Sequence, residues 1–344
     1  MIANAQEVQR WYESGLQGAR FNQAEYDALM AELPQREFSA VAHSNQFADA
    51  FKGRLVAPFV EVEKRYPGIW PGAAQQRGDC ESHSLKNGIA VAVVGDVVGG
   101  AVDPVSGKYE RCPEIPQAGI EQGAFSSEVL YWFSGCGNRK NYRGEYVEDG
   151  WSAAEGCRVM IKKAGAVVRA KLGETGIDLT HYSADLAGKY GDGGMPPGVA
   201  DAIDNNLIQT CAEAHSFDEI RDALGNYFGV VSDGSESFSV TRDANGVSKR
   251  TAEGWGHAMA IIATDDRPET IALYGEPLVL ILNSWGRWNK GPRVIRGTNT
   301  QIPEGAFWAR WSDVRNRRYF VLSGVNGWQR PRLKDYAPDW GLAT

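Results

Sequence analysis

Apolar and aromatic residues recur at helical spacing near the start of the chain, at Trp11, Leu16, Phe21, Tyr26, Leu29 and Met30, and Pro34 ends the pattern. This predicts helix over residues 1–33, and a second helical region over 45–66 that stops at Pro67-Gly68. The stretch from Pro67 to Gly78 is rich in Pro and Gly and reads as a connector. Beyond it, helix is predicted from Cys80 into an apolar run, over Ser126–Phe133, and over Ser152–Ala164 with Gly165 at its end. A further helix is predicted over Ser216–Leu224, where Ser216 and Glu219 have capping-box spacing. The texture then changes. Phe228–Val231, Met259–Ala263, Leu278–Leu282 and Tyr319–Leu322 are short β-branched or aromatic runs bounded mostly by Gly, Asp and Asn, which predicts strands. Helices precede strands, the order of an α+β fold with two lobes. Gly191–Gly194 lacks the Lys-Ser/Thr ending of a phosphate cradle and reads as a flexible turn.

The 344 residues allow one large domain or two ordinary ones. The 36 basic residues are outnumbered by 43 acidic ones, a net charge of −7, which argues against a surface built to wrap nucleic acid. No apolar run approaches the ~20 residues of a membrane helix; Ile89–Val98, the longest, contains Gly95 and Asp96. No basic segment followed by an apolar core marks a secretory signal, so the chain is expected to be cytoplasmic at synthesis. The five cysteines, Cys80, Cys112, Cys136, Cys157 and Cys211, are odd in number and too sparse for a disulfide-built fold.

Three short motifs carry chemistry. In Gln75-Gln76-Arg77-Gly78-Asp79-Cys80-Glu81-Ser82, Asp79 is a good N-cap and places Cys80 in the first turn of a helix. The macrodipole and unpaired N–H groups there favour a thiolate, while the adjacent Asp79 carboxylate opposes it. A nearby Gln amide and the Cys80 N–H suit a developing oxyanion. In Gly254-Trp255-Gly256-His257-Ala258-Met259, a histidine opens an apolar strand. In Leu280-Ile281-Leu282-Asn283-Ser284-Trp285-Gly286, a strand delivers Asn283, whose side chain can hold an imidazole in one tautomer, and Trp285, whose indole can shield that bond. Each motif alone also fits an ordinary structural role. His83, one turn from Cys80, is an alternative partner of poor geometry, and His43, His181 and His215 have no obvious metal-ligand spacing.

Together, and in the order Cys, His, Asn, these motifs resemble the papain-like cysteine peptidases of family C1. Ser126–Tyr131, Gly150-Trp151-Ser152-Ala153-Ala154 with Ile161–Gly165, Ile220–Val231 and Gly305–Trp308 extend the resemblance over roughly residues 68–324. It implies a two-lobed fold, a helical lobe and an antiparallel β-barrel-like lobe with a cleft between them. It implies Cys80 as nucleophile, His257 as general base and then acid, Asn283 as its orienter, and Gln75 or Gln76 in the oxyanion hole. Gly150, Trp151, Ala258 and Trp285 would line the substrate site. No metal or cofactor is implied, and the partner would be a peptide or protein substrate, with no nucleic acid and no membrane.

Several positions depart from the family pattern. Arg77 stands where a second cysteine is usual and Glu81 where a Trp is, so the customary disulfide beside the nucleophile is missing, in keeping with a reducing compartment. Ala74 occupies the usual place of the oxyanion Gln. The Cys80–His257 interval exceeds the expected ~130–150 residues, which predicts insertions around 99–123 and 173–215. Arg287-Trp288-Asn289 follows the Asn motif instead of the common x-x-Trp-Gly. The domain reading is an N-terminal helical extension over 1–66, a peptidase domain over 67–324 and a tail over 325–344. The extension is a propeptide, to which Asn45–Asp49 has a partial likeness, or a module that docks a protein partner. Two other functions stay open: a structural or assembly module, for example in a virion, and a cell-wall peptide or amide hydrolase, to which Asp79-Cys80 is similar.

Overall fold

The computed structural model describes residues 36–45, 47–100, 113–133, 166–203 and 207–330, together with Asp27, Ala31 and Gly156. The helix expected over 1–33, nearly all of that over Ser152–Ala164, the site residues Gly150 and Trp151, and Cys112, Cys136 and Cys157 lie outside the described residues.

The chain begins with α1 (Phe38–Ser44), β1 (Leu55–Val56) and α2 (Phe59–Arg65). The continuous helical region expected over 45–66 is therefore broken, and for two reasons. Pro58 disfavours helical backbone at Ala57, and Leu55 and Val56 are buried where they pair with Asp265 and Thr264 of a long strand. Tertiary pairing here outweighs local propensity. Phe38, Val41, Leu55, Val56 and Phe59 all enter the main hydrophobic core, so residues 36–66 are built into it.

Helix α3 (Cys80–Val98) starts at the predicted residue. Every residue from Cys80 to Asp96 is buried, which is why its apolar positions show no single stripe: a helix enclosed on all sides needs none. Then come α4 (Gln117–Glu121), α5 (Ser127–Phe133), a small hairpin of β2 (Lys171–Leu172) and β3 (Ile177–Asp178), α6 (Ala184–Gly193) and α7 (Pro197–Ala200). The stretch around 173–203 thus has its own small core of Leu179, Tyr190 and Val199 against Val129 of α5. Gly191–Gly193 is the last turn of α6, not a flexible turn. Ser183 caps the start of that helix, its Oγ accepting from the Leu186 N–H, and Leu186, Ala187 and Tyr190 are packed, so the helix runs on until Gly194 ends it.

The remaining chain forms β4 (Cys211–Ala214), α8 (Phe217–Gly225), β5 (Gly229–Arg242), β6 (Ser248–Asp265), α9 (Pro268–Tyr274), β7 (Leu278–Leu282), β8 (Ala306–Arg310), α10 (Trp311–Val314) and β9 (Arg318–Leu322). The capping box at Ser216 and Glu219 is formed as expected. The seven-stranded antiparallel sheet has the order β4-β9-β5-β6-β7-β8, with β1 added to β6. Strands β5 and β6 extend well beyond their predicted apolar runs, because the polar halves pair with each other as a long ribbon: Glu236 with Gly254, Phe238 with Arg250, Arg242 with Ser248. The fold is α+β as expected, with α3 and its neighbours forming a helical layer against the sheet. Among the described residues no helix is long and apolar enough to cross a membrane.

Helix and sheet meet most closely where Gly88 of α3 crosses Gly229 of β5. A Cβ on Gly229 would lie 2.1 Å from the Gly88 carbonyl oxygen, and one on Gly88 would lie 2.9 Å from Val231 Cγ1. Gly229→Ala must push the two layers apart and is expected to destabilise the fold by about 2–3 kcal/mol, read as a lower midpoint in denaturant at unchanged slope; an unchanged midpoint would show that the crossing is not tight.

Candidate active site

Cys80 is the first residue of α3, and Asp79 is its N-cap. His257 lies on β6 opposite Gly234 of β5, and Asn283 follows the last residue of β7. The β6–β7 pairing, with Ala260 opposite Leu282, brings the two side chains together. His257 Nε2 lies 2.7 Å from Asn283 Oδ1. Since a carboxamide oxygen only accepts, Nε2 carries the proton and Nδ1 is the basic nitrogen. Trp285 stacks on the imidazole, with ring centres 4.7 Å apart and planes at 29°. Behind it, Trp288 meets Trp285 edge-on and donates from Nε1 to the Gly305 carbonyl at 2.9 Å. The residue after Trp288, Asn289, accepts from Arg242 Nη1 and donates to the Ala306 carbonyl. The unusual Arg287-Trp288-Asn289 sequence thus supplies a buried brace for the indole that shields His257.

His257 is fully buried, and burial pushes its pKa down to about 3; the Asn283 hydrogen bond opposes this, while Arg317 and His83 lower it further. Cys80 is a fully buried thiol. Arg317 also fixes the backbone at the histidine, donating from Nη2 to the His257 carbonyl at 2.6 Å and from Nη1 to Glu236.

The loop before Cys80 is strapped to the loop after Asn283. The Gln75 N–H donates to the Ser284 carbonyl at 2.8 Å, and the Ser284 hydroxyl donates to Gln75 Oε1. Gln75 Nε2 donates to the Arg77 carbonyl at 2.9 Å. Gln75 is buried in this strap, whereas Gln76 is exposed and faces a cleft. Gly286, with φ +60°, has backbone that a side-chain-bearing residue seldom adopts, and a Cβ there would lie 3.1 Å from Ala74. That explains a glycine after Trp285. In place of a disulfide, Arg77 holds the loop by donating to the Ala184 carbonyl at 2.8 Å and lying over the Tyr131 ring.

A cleft of about 700 Å³ is lined by Trp70, Ala74, Gln76, Gln122, Tyr182 and Arg287, among others. Ala258, read as a substrate contact, is fully buried in β6 opposite Asp233, and Trp285 is buried on the imidazole.

A buried polar group backs α3. The Tyr182 hydroxyl donates to Asp79 Oδ2 at 2.8 Å and accepts from the Gln76 N–H at 3.1 Å. His83 is fully buried, with Nε2 3.4 Å from Asp79 Oδ2; its pKa is lowered by burial first, then by Lys86. Lys86 Nζ donates to the Gln122 carbonyl, and burial, then Arg169, brings its pKa to about 7. Arg169 and Glu128 form a fully buried pair at 2.9 Å, joined by Ser126, Ser127 and the Ser183 N–H. No feature of local sequence marks Tyr182 or Arg169, since both reach the site from the stretch after α5.

His215 does have acidic neighbours, contrary to the reading of its local sequence. Its Nε2 lies 2.6 Å from Glu37 Oε2 and 3.7 Å from Glu213 Oε2, because Glu37 bridges to Glu213 within β4. Arg36 sits 3.7 Å from both carboxylates.

No protein-family model matches the chain, and no curated protein matches it. Among solved structures it is similar to xylellain, a cysteine protease from Xylella fastidiosa, at 15% identity over 94% of each chain, with a TM-score of 0.47. It is also similar to proCathepsin B S9 from Trypanosoma congolense, at 12% identity over 91% of this chain and 88% of that one, with a TM-score of 0.49. For the bromelain protease from Ananas comosus the identity is 11%, over 78% of this chain and 98% of that one, and the TM-score is 0.37.

Burial alone would raise the Glu128 pKa, but Arg169 and the surrounding donors hold it below the ordinary range. A depressed folded-state value contributes stability at neutral pH that is lost as pH falls through that value. Arg169→Met leaves the carboxylate buried without its cation and is expected to cost about 3–5 kcal/mol at pH 7. Equilibrium unfolding against pH should show that cost shrinking as pH falls from neutral, because burial without the cation raises the carboxyl above the ordinary carboxylate range and it takes up a proton there.

Proposed function

We propose that this protein is a papain-like cysteine peptidase that hydrolyses peptide bonds. The observation that carries the reading is the Asn283–His257 hydrogen bond under Trp285. It leaves Nδ1 as the basic nitrogen, proposed to act on Cys80 at the first position of α3. The thiol proton passes from Cys80 Sγ to His257 Nδ1, and the sulfur attacks the substrate carbonyl carbon. The C–N bond then breaks, and His257 gives its proton to the leaving amine. Water, deprotonated by the same imidazole, hydrolyses the thioester and restores the thiol.

Burial disfavours either charge alone at this site, so thiolate and imidazolium form together, each stabilising the other. The positive end of a 19-residue helix favours the thiolate. The buried amide of Gln75, oriented by Ser284, supports Gln75 over Gln76 as the oxyanion donor beside the Cys80 N–H. Gly150 and Trp151 are proposed to wall the substrate site on the strength of the sequence resemblance alone.

The test is hydrolysis of casein and a fluorogenic peptide library, paired with iodoacetamide labelling of Cys80 from pH 4 to 9. The wild-type protein should cleave and should label rapidly at pH 5–6. Cys80→Ala should abolish both, His257→Ala should lower turnover by about 10²–10⁴-fold, and Asn283→Ala should lower it less. Labelling confined to the ordinary thiol range near ~8.5, insensitive to His257→Ala and without cleavage, sinks the proposal. Cleavage of peptidoglycan peptides but not casein would reassign the substrate to the cell wall.

A further inference from the structure

Asp79 is a poor neighbour for a thiolate nucleophile. As an N-cap carboxylate it would ordinarily turn onto the first N–H groups of its own helix. There its charge would compete with the sulfur for the same positive end. In this structure it does not: Asp79 makes no side-chain capping bond to α3. Its Oδ2 instead lies 2.8 Å from the Tyr182 hydroxyl and 3.4 Å from Nε2 of His83, one turn further along α3. Tyr182 is itself held in place. Its N–H donates to Gln122 Oε1 at 3.3 Å, its hydroxyl accepts from the Gln76 N–H, and its ring packs edge-on against His83.

We propose that Tyr182 is a positioning residue whose hydroxyl holds the Asp79 carboxylate off the N terminus of α3, leaving that end of the helix to the Cys80 thiolate. The inference rests on the peptidase reading and gives a role to a residue outside the Cys-His-Asn motifs. The titratable and charged groups around Asp79 and Cys80 are Glu81, His83 and Lys86 on α3, Glu128 on α5, Arg169 and Tyr182 behind them, and His257 from the sheet. Burial and the nearby Asp79 charge both raise the Tyr182 pKa, so its hydroxyl keeps its proton and stays a donor throughout the working range.

Tyr182→Phe removes one oxygen and keeps the ring. Without its donor, Asp79 is released to cap α3, which brings negative charge to the thiol. The iodoacetamide profile of full-length Tyr182→Phe should move to higher pH, with labelling at pH 6 roughly tenfold slower, a shift of about one unit. Adding Asp79→Asn removes that charge and should restore the wild-type profile in the double variant. Thermal melts of each variant confirm folding.

An activated wild-type thiol with an unshifted Tyr182→Phe profile overturns this inference alone. So does slowed labelling that Asp79→Asn does not rescue, since Tyr182 would then act only by holding the Gln76 loop. A wild-type thiol that reacts only in the ordinary range overturns the peptidase reading and this inference with it.

Discussion

The structure depends on one packing constraint: a fully buried helix, α3, lies flat on the sheet at a crossing where two glycines meet. With Gly88 over Gly229, the helix backbone approaches β5 more closely than any side chain would allow. That approach sets the height of the helix above β5. The hydrogen-bonded ladder between β6 and β7 sets the second distance, from His257 to Asn283. The His257–Asn283 contact is therefore set by strand pairing and not by loop conformation.

Enclosing a helix on all sides has a cost that the rest of the molecule must offset. The sequence of α3 carries Glu81, Ser82, His83, Lys86, Asn87 and Asp96, all buried. Buried charge is tolerable only with partners close by. Lys86 finds the Gln122 carbonyl, and at the far end Asp96 finds Arg330 and the Val325 N–H. The stretch after α5 supplies Arg169 to Glu128 and Tyr182 to Asp79. Tyr182, within the 173–215 stretch that reads as an insertion, thus supplies part of the polar shell of the central helix.

The departures from the family pattern have local physical replacements. Arg77, bonded to the Ala184 carbonyl and stacked on Tyr131, pins the loop that a disulfide would pin. Trp288 and Asn289 brace Trp285 through the Gly305 and Ala306 carbonyls. Gln75, five residues before Cys80, is drawn to the Asn283 end of the site by its strap to Ser284.

Much of this was legible in the chain itself. Asp79-Cys80 before an apolar run marks the start of α3, Leu278–Leu282 marks β7 to the residue, and Ser216 with Glu219 marks α8. These are local signals: capping chemistry, β-branched runs and turn residues act within a few positions. The Cys, His and Asn motifs are short for the same reason and could be read without a fold. What sequence could not show is what depends on contacts between distant segments. Leu55-Val56 is a strand only because Thr264 and Asp265 are there to pair with it, and Gly191–Gly193 is helical only because Leu186, Ala187 and Tyr190 are anchored. The burial of Gln75 depends on Ser284, more than two hundred residues away. Tyr182 meets Asp79 only through a hydrogen bond whose direction no local pattern encodes. Local propensity names the elements and the reactive side chains; burial and long-range hydrogen bonding decide which way those side chains point.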